Sequence, residues 1–556
     1  MLQIILTLAL YLVMVIPVGI YLYHITDGQR TFADPVFDRV DGFLYKACGI
    51  DPHKGMSWDK YALALIMTNG VMIFFGYLIL RIQGMALFNP NGIQGMEASL
   101  SFNTIISFMT NTNLQHYSGE SGLSYLSQML VIIFMMFVSA ASGYAAYAAF
   151  IRGLAGKTKD NVGNFFSDLI RMITRILLPL SVIGGLLLVW QGVPQNFSGN
   201  VVVDTIEGTK QEIAMGPVAA LEIIKHLGTN GGGFLGANSS APIENPTILS
   251  NLIELYSMML LPGACVIAFG KMARGGRSIF AAMSILFVIG LSLCFWAESQ
   301  GNPALAEVGL NQSMGSMEGK ETRFGIAQSA LFTTTTTSFT TGTVNNMHDT
   351  LTPLGGMVPM LHMMLNVVFG GKGVGLMNMI MYAILAVFIC GLMIGRTPEY
   401  LGKKVEGREM KLTALCIIIH PLLILAFSAL AIGTQAGVEG ITNPGFHGLS
   451  QVLYEYASSA ANNGSGFEGL ADNTLFWNIT TGLAMFFGRY LSLILQLAIA
   501  GSLMKKRFVN ETAGSLHTDT ISFAIILVFV VYIFAALTFF PVLALGPIAE
   551  HLTLWA

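Results

Sequence analysis

The sequence predicts an all-α polytopic membrane protein, with about ten transmembrane helices and four pseudo-repeated helix–pore loop–helix units around a central pore. Three observations carry this expectation. Of the 556 residues, 53% are apolar and only 11% charged, and mean hydropathy is +0.64. A soluble domain carries roughly 25% charged residues, so a soluble globular enzyme is excluded. Apolar runs near the ~20 residues that a bilayer demands recur along the whole chain. Shorter apolar stretches, each running into a loop rich in Gly, Asn and Thr, recur at a near-constant period. A net charge of −3 leaves no basic surface for nucleic acid, and none is expected as a partner.

The ten candidate spans are 2–23, 61–80, 125–151, 173–190, 251–270, 278–296, 377–395, 412–437, 476–504 and 521–544. The first lacks a basic flank and is too long for a cleavable signal, so it is expected to be retained. Arg152, Lys157 and Lys159 follow the third span. Lys271, Arg274 and Arg277 follow the fifth, Arg396, Lys403, Lys404, Arg408 and Lys411 the seventh, and Lys505, Lys506 and Arg507 the ninth. Alternating spans put all four clusters on one side, which the positive-inside rule makes cytoplasmic, with both termini outside. The chain then divides into a first span with its cytoplasmic loop (1–60), four repeat units (61–160, 161–275, 276–405 and 406–510) and a last span (511–556). The five cysteines have no zinc or redox spacing.

The half-length stretches are 99–110, 218–227, 326–339 and 449–461. The loops they feed align as Thr110-Asn111-Thr112-Asn113-Leu114-Gln115, Thr229-Asn230-Gly231-Gly232-Gly233-Phe234, Thr340-Thr341-Gly342-Thr343-Val344-Asn345 and Asn462-Asn463-Gly464-Ser465-Gly466-Phe467. Their third positions are spaced 119, 111 and 122 residues apart. Irregular backbone at membrane depth is tolerated where protein buries it or where it lines a watery cavity. Rings of inward carbonyls can replace an ion's hydration shell. The preceding short helix aims its partly negative C-terminus at the same point, which favours a cation. The four hexapeptides contain no carboxylate, so a weakly hydrated monovalent ion such as K⁺ fits better than a divalent one. Ordinary outer turns would explain one such loop, but not four in register.

The stretches T-N-T-N-L-Q-H-Y-S-G-E (110–120), T-N-G-G-G-F-L-G-A-N-S (229–239), T-T-G-T-V-N-N-M-H-D (340–349) and A-N-N-G-S-G-F-E-G (461–469) resemble the pore loops of the potassium-binding A subunits of Kdp-type potassium-transporting ATPases. G-R-T-P-E-Y-L-G-K-K (395–404) resembles their cytoplasmic stretch. The resemblance covers almost the whole chain. It implies the potassium-channel-like superfamily fold and a bacterial inner-membrane complex. In that complex a channel-like protein captures K⁺ outside and delivers it to a P-type ATPase, the B subunit, alongside a C subunit and a small F subunit. No organic cofactor is implied. The sequence agrees with this division of labour, because it contains neither a G-x-x-x-x-G-K-[ST] phosphate loop nor a D-K-T-G phosphorylation motif. A self-sufficient Trk/Ktr-type uptake protein shares the four-unit plan and is the alternative. A polytopic membrane enzyme is a third, which no constellation of His, Asp or Cys supports.

The expected K⁺ filter is therefore Thr110, Asn111, Thr112 and Asn113 with Thr229, Asn230, Gly231 and Gly232, then Thr340, Thr341, Gly342 and Thr343, then Asn462, Asn463, Gly464 and Ser465. Gln115, Phe234, Asn345 and Phe467 stand next to it, either shaping the cavity or buttressing the loops. By resemblance, the Gly-rich break at Gly370, Gly371, Lys372, Gly373 and Gly375 is a gate beneath the filter, with Lys372 a tethered cation or a snorkelling end. Arg489, alone in an apolar span, is an electrostatic barrier or a helix tie. The Thr333–Thr337 run braces the third loop through its hydroxyls or is a β-branched packing surface. Asp349 and Glu468 attract cations or are screened surface charges. The 31 methionines read as apolar filler, and His116, His226 and His348 match no zinc spacing, so no other metal is expected.

Overall fold

The computed structural model describes residues 2–85, 87–156, 160–273, 275–509 and 516–556. Lys157, Lys159 and Arg274, counted in the basic clusters, lie outside the described residues. Among the described residues, ten helices are long and apolar enough to cross a membrane: Leu2–Thr26, Trp58–Met85, Tyr125–Ala155, Phe165–Trp190, Ile248–Ala273, Gly276–Glu307, Val374–Met393, Gly407–Ile432, Leu475–Met504 and Ile521–Leu554. All ten expected spans are present. The eighth ends before its expected limit, because the chain doubles back at Gly437. A Cβ there would stand 2.2 Å from the Ala431 carbonyl oxygen.

Four shorter helices precede the loops: Ala98–Met109, Val218–Leu227, Gly325–Ser338 and Phe446–Ala461. At 1.5 Å per residue they reach about half a bilayer, and protein surrounds them on nearly every side. The full spans differ by position. The third is an alanine-rich helix, 72% buried over its most apolar window, whereas the first turns Leu2, Leu6 and Val13 outward. Small residues permit close helix approach where lipid supplies no hydrophobic drive. At Gly153 a Cβ would stand 2.8 Å from that of Ala500 in the ninth span.

The basic ends meet on one side. The Lys403 ammonium donates to the Gly153 carbonyl, and Lys506 pairs with Glu406 and Glu409. Arg152 forms a two-pronged bond with Asp168, at 2.7 and 2.8 Å. Several elements have no counterpart in the sequence reading, among them a helix over Asp34–Cys48, a hairpin pairing Val201–Asp204 with Lys210–Ile213, and a second pairing Glu399–Tyr400 with Lys403–Lys404. Arg175 of the fourth span anchors the first of these through Asp34, Asp38 and Asp41, at 2.9, 2.7 and 2.9 Å.

Candidate ion-binding site

The four loops converge. A Cβ on Gly231 would lie 2.8 Å from the carbonyl oxygens of Thr112 and Asn463, which belong to the first and fourth loops. One on Gly342 would lie 2.2 Å from the Asn463 oxygen and 2.7 Å from the Gly231 Cα. One on Gly464 would lie 2.0 Å from the Thr112 oxygen. No side chain fits at these three positions without moving a neighbouring backbone. The carbonyls of Thr112 and Asn463 therefore stand at a common centre.

The hydrogen bonds reset the loop alignment. Asn230, Thr341 and Asn463 each donate their backbone N–H to a carbonyl five residues back, on Lys225, Thr336 and Ser458. In the first loop the residue that does so is Thr112, bonded to Ser107. The residues before them, Asn111, Thr229, Thr340 and Asn462, all have φ between +49° and +63°. The first loop is thus displaced by one: Asn113, not Thr112, matches Gly231, Gly342 and Gly464. Asn113 has φ +62°, beside +95° at Gly342 and +108° at Gly464. Asn tolerates the left-handed region, so the sequence has no glycine to mark the place. Thr110 ends its half-helix in right-handed geometry, its hydroxyl 2.8 Å from that of Thr112.

Amides brace the loops. Asn111 donates to the Thr229 carbonyl at 2.8 Å and Asn462 to the Thr112 hydroxyl at 2.9 Å. Gln115 exchanges two bonds with Gly233, at 2.8 and 3.1 Å. Asn345 holds Asn251, while Phe467 stacks on Tyr454 with ring centres 4.3 Å apart. Phe234 packs on Tyr125, ring centres 6.3 Å apart. All four residues flanking the loops therefore make bracing contacts. Thr336 serves two loops: its hydroxyl accepts from Gly342 N–H at 2.9 Å and its carbonyl from Asn463 at 3.0 Å.

One brace went unread in the sequence. Asn238 donates to the Gly231 carbonyl at 2.7 Å. Its own oxygen accepts from Lys225, which also bonds Glu222 and Glu244 at 2.7 and 3.1 Å. The signal was available: Glu222 and Lys225, three apart, sit with His226 in a half-helix whose other residues are apolar, where an unpaired charge is costly.

Below the loops the Gly-rich break closes in. A Cβ on Gly371 would meet the Thr229 hydroxyl at 2.4 Å and the Thr340 carbonyl at 2.8 Å. Gly370 and Gly375 press together, and Gly373 abuts Tyr147. Lys372, left-handed at φ +47°, donates to the carbonyls of Asn111 at 3.0 Å and Asn462 at 2.9 Å. Its stem and the Arg489 guanidinium pack on the same face of Gly143. No acid pairs with either cation among the described residues. The cavity on this side, which Asn462 and Arg489 help line, holds about 30 Å³; the vestibule on the other side holds about 300 Å³. Glu468 accepts the backbone N–H groups of His348 and Asp349 in that vestibule's wall. His116 lies there too. Burial works against its proton, but Asp472 and Glu455 prevail and raise the imidazole to about 9.

The chain matches the potassium-transporting ATPase A subunit family over residues 5–552. It is 58% identical over 556 residues to the potassium-transporting ATPase potassium-binding subunit of Clostridium acetobutylicum, covering 100% of each chain. It is 54% identical over 548 residues to that of Geobacillus kaustophilus, covering 98% of each. The crystal structure of the potassium transporter TrkH from Vibrio parahaemolyticus superposes with a TM-score of 0.54 at 14% identity, covering 87% of this chain and 97% of that one. That likeness carries the fold.

Proposed function

Because the chain belongs to the potassium-transporting ATPase A subunit family, we propose that its four converging loops are where it binds K⁺. The chain is a multi-pass bacterial membrane protein and the potassium-binding, non-catalytic subunit of a potassium-transporting ATPase. Full-length relatives at 54% and 58% identity favour this reading over a self-sufficient Trk/Ktr-type carrier.

In the proposed mechanism K⁺ enters the vestibule and sheds water against the carbonyls of Thr112, Asn230, Thr341 and Asn463. Uncharged dipoles in a fixed ring compensate dehydration without trapping the ion. Beneath them, the segment Gly370–Gly375 closes the route, and the Lys372 ammonium takes two carbonyls that an ion would otherwise use. Arg489 adds a second positive charge on the same side. A closed inner end is required physically, since an open filter would dissipate the gradient that the complex builds. The P-type ATPase B subunit supplies the phosphorylation chemistry, and the C and F subunits complete the assembly. The basic side faces the cytoplasm, and the four units fall at 61–160, 161–275, 276–405 and 406–510.

The observation that carries this reading is the mutual approach of Gly231, Gly342 and Gly464 to the Thr112 and Asn463 carbonyls. Calorimetric titration of the purified complex with K⁺, Rb⁺ and Na⁺ tests it. Gly231→Ser and Gly342→Ser should each erode the preference for K⁺; an unchanged ranking in both rejects the filter.

A further inference from the structure

Three segments bring His116, Glu455 and Asp472 together at the edge of the vestibule. Their ligand atoms all lie within 4.8 Å of one another. His116 Nε2 stands 3.2 Å from Glu455 Oε1 and 3.8 Å from Asp472 Oδ2. A metal at ~2.0–2.2 Å from tetrahedral nitrogen and oxygen ligands puts them roughly 3.3–3.6 Å apart, and the two measured edges bracket that value.

Hydrogen-bond direction fixes the imidazole. Ser99 spends its proton on Glu97, at 2.6 Å, so it accepts from the Asn478 amide at 3.1 Å. The same amide nitrogen also lies 3.3 Å from the Asn473 side-chain oxygen. Asn478 therefore presents its oxygen to His116 Nδ1, at 2.7 Å, and Nδ1 carries the hydrogen. The protonated ring also donates from Nε2 to the Glu455 carboxylate at 3.2 Å, and a metal ion would replace that proton between Nε2 and the two carboxylates. A ligating histidine whose other nitrogen donates to a fixed oxygen is the usual outer-sphere arrangement of a metal site.

We propose that His116 Nε2, Glu455 and Asp472 form a site for a borderline divalent transition-metal ion, of which Zn²⁺ is the type. One imidazole and two carboxylates suit such an ion; Ca²⁺ demands six to eight oxygens. The site is reachable, since His116, Asp472 and Gly466 line the vestibule and Glu455 Oε2 lies behind Gly466. Gly342 and Gly464 line the same space, so a bound dication would oppose K⁺ on its way to the loops. Sequence spacing could not reveal this site, because Glu455 lies 339 positions beyond His116, on the fourth half-helix, while His116 follows the first loop.

The test is Co²⁺ titration of the chelator-stripped, purified complex, read by visible absorption, with Zn²⁺ as competitor. We expect one equivalent of Co²⁺ with the intense band of low coordination, displaced by Zn²⁺. The band should vanish in His116→Asn and Asp472→Asn. Asn478→Ala should weaken binding by about 10–100-fold. Should either ligand variant fail to assemble, Glu455→Gln serves in its place. Zn²⁺ should also slow K⁺ uptake, reversibly with chelator. Absence of a saturable band, or a band unchanged in the ligand variants, overturns the proposal. The Co²⁺ spectrum does not depend on what the central loops bind, so it fails independently of the K⁺ reading.

Discussion

Lys225 and Lys372 are equally sequestered, at 0% and 1% exposure, and they are held in opposite ways. Lys225 lies among Glu222, Glu244, Asn238 and Ser239, every contact a side chain that completes its charge or its hydrogen bonds. Lys372 has two backbone carbonyls and a neighbouring Arg489. The first arrangement neutralises a cation and makes it a strut behind the second loop. The second offers it loop carbonyls, those of Asn111 and Asn462, each one residue before an oxygen proposed to hold K⁺. Burial alone thus says little about a charge; the identity of its acceptors separates scaffolding from competition with the ion.

The comparison can be broken most forcefully at Lys225. Lys225→Met would leave two buried carboxylates without their cation, a loss of about 3–5 kcal/mol, read as failed assembly or a strongly lowered thermal midpoint. Gly342→Ala tests the ring that both lysines serve. At φ +95° and with no room for a methyl, overpacking of about 1–3 kcal/mol is expected, seen as a roughly 5–150-fold loss of K⁺ affinity by calorimetry. Lys372→Met should leave the fold intact, unlike its counterpart, and raise passive Rb⁺ flux through proteoliposomes without ATP by roughly 5- to 1,000-fold, since one charge at about 4 Å is worth about 1 kcal/mol in water and about 4 kcal/mol at an effective dielectric of 20. Equal destabilisation by both lysine variants would erase the distinction. Arg489→Ala should alter coupling between transport and ATP hydrolysis while K⁺ affinity changes less than about threefold, since the charge lies beyond the filter.

The smallest effect is expected at a third cation held by acids, His447, between Asp349 at 3.0 Å and Glu550 at 2.9 Å. Burial opposes its proton, but the bonds to both carboxylates raise it from 6.5 to about 9. The folded value exceeds the unfolded one, so this contribution is complete below pH 6.5 and is lost as pH rises through about 9. The thermal midpoint should fall over that window, and His447→Gln should flatten the fall.

The parts of the fold governed by hydropathy were legible in the sequence. Ten spans and four half-helices follow from apolar length alone, and the loops follow from their glycines. The register of the first loop was not, because Asn113 adopts the conformation that glycine announces elsewhere. The Asn238–Lys225–Glu222–Glu244 cradle was missed because its members are joined through space, although a charged pair in an apolar half-helix was a visible cue. The hairpin over 201–213 leaves only a faint mark in the sequence, Val201–Val203, a short β-branched run before a Gly208 turn. Lys372 was singled out by its place in the glycine run, but its acceptors could be found only with the loops assembled.

Lys372 reaches carbonyls from the first and fourth loops, while Gly371 faces the second and third. A pore assembled from four identical polypeptides would repeat any such lysine four times, and four ammonium groups crowded around one axis would repel each other outward. Linking unlike quarters covalently removes that constraint. A stopper present in single copy becomes possible only when rotational symmetry has been given up, and this chain has the geometry to exploit that freedom.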